Sequence, residues 1–309
     1  MRKIFFIFIL FFASLNTHAC LNGEKYLMKN GEYLYMDYAD NLPFGHNFFI
    51  GKFSERFEFE LDSLYRKTKD LDYLSDKGYV LIIEKKYHEA LSLYLKIEKL
   101  KPNRYSTASN LGTLYELMGN NEEALKWINK SITINPKSHN GSEWLHSRIL
   151  EAKINGVKSQ NAKFLLNTDF GKEIKPVSQL DTIQLNKLDK ALNYQLNERI
   201  SFIKPKDNII AILLFELGNI KMIKGEFNTA KPILEEAKKY GLNNKILEKR
   251  LTYTKHVLNP KPKIKKEQTN DEIDYIRTLL SLILVIIAIS LVYLIFQSKI
   301  YNLQSKIEK

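Results

Sequence analysis

Two stretches of this chain repeat one another at a fixed spacing, and that spacing limits them to one kind of architecture. Gly78 and Gly112 stand 34 residues apart (112 − 78), as do Ala90 and Ala124, and Pro102 and Pro136. At the same shift Leu81 meets Tyr115, Tyr94 meets Ile128 and Ile97 meets Ser131. A self-similarity in the range of about 20 to 50 residues marks an array of supersecondary units, each unable to bury its apolar face alone. The residues at fixed places say which unit. A small residue in a first helix (Gly78, Gly112) and another in a second (Ala90, Ala124) let two backbones approach, and large apolar residues one turn away fill the seam. A proline then stops the second helix before the next copy begins.

These residues resemble the tetratricopeptide repeat over 71 to 138, where two copies keep register. A further copy spans 211 to 241: Leu217 and Gly218 open it, Gly225 turns it, Ala230, Leu234 and Ala237 carry its second helix, and Tyr240-Gly241 closes it. It departs from the pattern at Lys221, where an aromatic residue is usual, and at Leu242, where proline would stand. The resemblance implies an all-α solenoid of helical hairpins that lays a partner peptide or helix along its concave face. Mapped onto this chain, that face is a candidate protein-binding groove made of Tyr79, Ser109, Asn110, Thr113, Glu116, Glu143, Ser147 and Asn219. Of the family's clamp for a terminal carboxylate, built from lysines, asparagines and an arginine, only Asn110 is matched, so that clamp is not expected.

The two ends indicate where such a domain works. Met1-Arg2-Lys3 followed by unbroken apolar sequence from Ile4 to Phe12, with Thr17-His18-Ala19 at the end, reads as a secretory signal peptide over 1–19. Cys20, the only cysteine, directly follows the expected cut and is a possible lipidation site, although Thr17 stands where a lipoprotein signal usually has leucine. Plain cleavage with an incidental cysteine is the other reading. With one cysteine no disulfide can form inside a chain, and the fold must stand on packing. Thr278 to Phe296 runs without a charge; such a stretch of about 19 residues spans about 28 Å as a helix and matches a bilayer core. The signal peptide orients it, placing the N-terminal domain in the periplasm, the helix at 278–296 in the inner membrane and a short tail, 297–309, in the cytoplasm.

Between the ends, Tyr26 to Tyr35 carries Asn30-Gly31 between apolar runs and predicts a β-hairpin. It belongs to an N-terminal extension, 20–53, in which 41 to 51 reads as loop. The repeat domain is expected at 54–258. Ser54 to Lys69 and Leu242 to Leu258 are predicted to cap its ends, as a solenoid requires. Ser142 to Ile154 looks like the first helix of another copy, with His146 in the place of the small residue and Gly156 breaking the chain before a second helix. Residues 157–180 read as an insert. A helical stripe resumes at Leu185, Leu188, Leu192, Leu196, Ile200 and Ile203. A linker at 259–277, with Pro260 and Pro262 among charges, precedes the apolar span.

The chain holds 47 Lys and Arg against 35 Asp and Glu, but only eight of the basic residues are arginine. Arginine is the residue favoured for two-pronged phosphate contacts, and an exported domain does not meet nucleic acid, so nucleic-acid binding is not expected. His139, Glu143 and His146 would share one face if they lay on a continuous helix, and an envelope metal-dependent hydrolase built on them is the alternative function. Their residue types equally suit a helix start and a buried polar packing position. No Gly-rich phosphate loop or Gly-x-Ser-x-Gly turn occurs. The sequence therefore predicts a non-catalytic interaction or scaffolding module, without cofactor or metal, whose partner is a protein or peptide of the cell envelope.

Overall fold

The computed structural model describes residues 25–37, 42–49, 54–260 and 270–307. The expected signal peptide, Cys20 and residues 261–269 of the expected linker lie outside the described residues. Two compact units are present, Met1–Leu258 and Asn259–Lys309.

In the first unit, strands β1 (Lys25–Leu27) and β2 (Tyr33–Met36) pair antiparallel, with Lys25 opposite Met36. The Asn30-Gly31 turn joins them, and Gly31 takes φ 89°, which glycine adopts without a side-chain clash. Helix α1 (Ser54–Thr68) leads into two hairpins, α2 (Leu71–Ile83) with α3 (Tyr87–Leu100) and α4 (Tyr105–Leu117) with α5 (Asn121–Ile134). Starts are marked by side chains that take up free backbone N–H groups: Asp70 accepts from Asp72 N and Asn120 from Glu123 N. The seams have the predicted small-residue logic. A Cβ on Gly78 would lie 2.5 Å from the Tyr94 ring, and one on Gly112 would collide with Ile128.

α6 (Glu143–Asn155) follows as a first helix without a second, because Gly156 leaves the helical path at φ 80°. The chain then makes one turn of 3-10 helix at Val157–Ser159, the short α7 (Ala162–Leu166) and an irregular run to 181. This insert is not loose. Arg250, with no exposure, donates from Nη2 to the carbonyls of Gly171 at 2.8 Å, Glu173 at 3.0 Å and Phe170 at 3.2 Å. α8 (Thr182–Phe202) begins with Asp181 and Gln184 capping one another's backbone N–H groups. α9 (Asn208–Ile223) and α10 (Phe227–Lys239) form the third hairpin, and α11 (Lys245–Leu258) closes the stack. α9 starts three residues earlier than the repeat expected at 211, because Asp207 accepts from Ile210 N.

The second unit holds α12 (Asn270–Ile307). An 18-residue window within its segment Asp274–Ile300 reaches a mean hydropathy of 3.1, and among the described residues this is the one helix long and apolar enough to cross a membrane. The helix extends beyond the expected span in both directions, taking in the last residues of the expected linker and most of the expected tail.

Candidate functional site

The first helices of the hairpins present side chains to a cavity of about 350 Å³. Six of the eight predicted groove residues line it: Tyr79, Ser109, Asn110, Thr113, Glu116 and Glu143. The face is not open, however. Tyr194, Gln195, Glu198, Arg199 and Phe202 of α8 form an opposite wall, and Tyr26 and Tyr35 of the β-hairpin a third. What the repeat pattern offered as a surface for a partner is thus occupied in part by the chain's own α8.

Two of these side chains are engaged within the fold itself. Tyr79 packs edge-on against Tyr26, with ring centres 5.3 Å apart, and against Phe48 at 6.5 Å. Asn110 donates from Nδ2 to the Tyr94 hydroxyl at 2.8 Å, and that hydroxyl donates to the Ser75 carbonyl at 2.8 Å. Two further residues do not reach the cavity. Ser147 donates to Asn129 Oδ1 at 2.9 Å and opens instead beside Trp144. Asn219 is fully buried and donates to Glu216 Oε2 at 2.9 Å, since α9 is covered along nearly its whole length.

Charge is concentrated where α4, α6 and α8 meet. The Glu116 carboxylate accepts from His146 Nε2 at 2.7 Å and Arg199 Nη1 at 3.1 Å on one oxygen, and from Lys153 Nζ at 2.7 Å on the other. Burial alone would push this carboxyl up; Arg199, His146 and Lys153 outweigh it and hold it well below the usual carboxylate range. Glu143 is also held low against the effect of burial, by His139 and His146. One of its oxygens contacts His139 Nδ1 and accepts from the Tyr105 hydroxyl at 3.1 Å. The other lies 3.7 Å from His146 Nδ1, an ion-pair distance too long for a hydrogen bond. Burial and Arg199 lower the His146 pKa, yet its two carboxylate neighbours leave it raised.

His139, Glu143 and His146 do come together, though not on one continuous helix. His139 and Asn140 take φ of 48° and 57° in a turn ahead of α6. Each imidazole is committed to a carboxylate, and among the described residues no group of three or more His, Cys, Asp or Glu is arranged to hold a metal ion. The hydrolase alternative gains no support from this geometry.

Sequence reasoning missed the α8 wall and His46. Tyr194 and Glu198, and Gln195 and Arg199, are i, i+4 pairs on a helix whose apolar stripe was read correctly, so their shared side was legible but not its destination. His46, placed in a loop, has a ring with no exposed surface: Nδ1 lies 2.6 Å from Asp37 Oδ2 and Nε2 3.2 Å from Glu198 Oε1. The ring stacks on Tyr35 with centres 3.8 Å apart. Burial lowers the His46 pKa, but Glu198 and Asp37 together raise it above the ordinary imidazole value. Gly45 N donates to Asn197 Oδ1 and His46 N to Ser201 Oγ, both at 2.8 Å, so 42–49 is a strap fixed to α8.

Comparison with known proteins gives one family match, to the tetratricopeptide repeat over residues 106–138. No curated protein matches. Among solved structures, a tetratricopeptide repeat protein from Parabacteroides merdae is 17% identical, with 66% of this chain and 100% of that one covered and a TM-score of 0.31. A thermophilic tetratricopeptide protein of Thermus thermophilus is 12% identical, with 66% and 91% covered and a TM-score of 0.33. A chain of the Cut9–Hcn1 hetero-tetramer is 13% identical, with 68% of this chain and 41% of that one covered and a TM-score of 0.34. The matched segment is the α4–α5 hairpin, and in each of three hairpins a glycine meets a residue 16 positions later (94 − 78, 128 − 112, 234 − 218). On that match and that recurring contact, residues 106–138 form a tetratricopeptide repeat, and the other two hairpins close on the same kind of glycine seam.

Proposed function

We propose that this protein is a non-catalytic interaction or scaffolding module, held at the outer side of the cytoplasmic membrane by α12. The observation that carries the reading is the stack of helical hairpins, an architecture whose value lies in the surface it presents. The uncharged run from Thr278 to Phe296 supports the tether, and the apolar N-terminal sequence after Met1-Arg2-Lys3 supports export. The partner in this reading is a protein or peptide of the cell envelope.

Because Tyr79 and Asn110 serve packing, replacing them is a poor test of recognition. Exchange of whole segments is cleaner. Proteins co-purifying with the full chain from its own membranes should be lost when 54–258 is replaced by an unrelated folded domain. They should be kept when 278–296 is replaced by an unrelated membrane span. The opposite pattern would place recognition in α12 and sink the interaction-module reading.

A further inference from the structure

Arg199 is 6% exposed, lines the cavity, and is only half used. Its Nη1 donates to Glu116, while Nε and Nη2 are buried without a hydrogen-bond partner. Buried polar groups are otherwise almost always paired, and leaving charged donors unpaired costs more than leaving neutral ones. Nε and Nη2 form one edge of a planar fork, the shape that meets both oxygens of a carboxylate at once. The carboxylate already nearby does not fill that role, because Glu116 is shared with His146 and Lys153.

The surroundings narrow the ligand further. Glu116 meets Arg199, Lys153 and His146 in this cluster, and Glu198 on the α8 wall is paired with His46, so neither carboxylate is available to the free edge of Arg199. Among the polar side chains of the walls, four flat aromatic rings, Tyr79, Tyr105, Tyr194 and Phe202, line the same space, and Tyr194 stacks on His139 with centres 4.9 Å apart. A volume of about 350 Å³ falls in the range of small-molecule sites, about 300–1,000 Å³. With α8 and the β-hairpin as walls, this is a chamber and not a trough for an extended chain. We infer that the cavity binds a small organic carboxylate with an aromatic body, its carboxylate seated on the free edge of Arg199 and its ring among the tyrosines. This does not depend on the interaction-module reading, since a scaffold can carry such a site whether or not it engages a protein.

The test uses the full chain in dodecyl maltoside micelles, titrated calorimetrically with 3-phenylpropionate, its uncharged amide, and a short peptide ending in phenylalanine, with empty micelles as blank. The acid should bind saturably with a dissociation constant on the order of a millimolar or tighter, and the amide at least about tenfold more weakly. Arg199→Gln should weaken the acid by about tenfold or more. Thr113→Trp puts a large ring into the chamber from α4, and should abolish binding while helix content by circular dichroism is kept. If Arg199→Gln does not fold, the Thr113→Trp result decides. Absence of saturable binding, equal binding of acid and amide, or unchanged binding in a folded Thr113→Trp chain would each overturn the proposal. Tighter binding of the peptide than of the free acid would overturn it too, replacing a small-molecule site with one for a chain terminus.

Discussion

Gly218 and Leu234 touch across the α9–α10 seam so closely that a Cβ on the glycine would lie 2.5 Å from Leu234 Cδ2. Gly78 and Tyr94 stand in the same relation in the first hairpin, again at 2.5 Å. Such approach leaves no room for a side chain, and overpacking a seam costs about 1–3 kcal/mol, often more where backbone must shift. Gly218→Leu and Gly112→Leu should therefore lower the thermal midpoint of the full chain markedly. Lys126→Leu, on the exposed side of α5, should change it little. Equal midpoints for the two classes would refute the seam.

Arg250 ties the irregular segment after α7 to α11 through carbonyls of Phe170, Gly171 and Glu173. Arg250→Met keeps much of the volume but leaves those carbonyls without donors, at a cost of about 3 kcal/mol. Limited proteolysis should then cut first within 167–180 while 71–138 stays protected. Cleavage spread evenly over the domain would show that Arg250 holds the whole stack and not this segment.

The strap at 42–49 should respond to pH in a defined window. The His46 pKa is raised from 6.5, so the stability it contributes is complete below that value and is lost as pH rises through the folded value. Glu198 is lowered from 4.5, so its contribution is complete above 4.5 and is lost as pH falls through its folded value. Protection of the 42–49 amides, the intrinsic exchange rate divided by the observed rate at the same pH, should be greatest between those limits and fall toward alkaline pH. In His46→Gln that alkaline fall in protection should be absent, and if it persists unchanged the imidazole is not its source.

The proposed orientation rests on the apolar span and the N-terminal sequence together. A reporter enzyme active only outside the cytoplasm, fused after Lys266, should be active, and the same reporter after Lys309 should be silent. The reverse pattern would invert the proposed orientation.

What the sequence disclosed was local or periodic. The Gly78–Gly112 and Ala90–Ala124 spacings, the Asn30-Gly31 turn and the Leu185 to Ile200 stripe each specify an element and the side it buries, and the elements formed there. The site was legible only on the repeat side. His46 meets Glu198 from 152 positions away and Arg199 meets Glu116 from 83, and no period or spacing joins such pairs. Asn219 was misplaced for a related reason. Counting along a repeat assigns α9 one face toward a groove, whereas its flanking helices leave it none.

α6 contributes Leu145, Ile149 and Ala152 to the large core with α8 to α11, and Leu150 to the core with Ala124 and Ile128. Its repeat is unfinished, and Gly156 makes the segment after it look like a natural place to divide the chain. Dissection there would fail. A fragment ending before 143 would lose a wall of the α4–α5 hairpin, and one beginning after 155 would expose the underside of α8. Gene fragments meant to yield soluble pieces must keep α6 with both neighbours, so for expression purposes the first unit is indivisible at the point where its repetition stops.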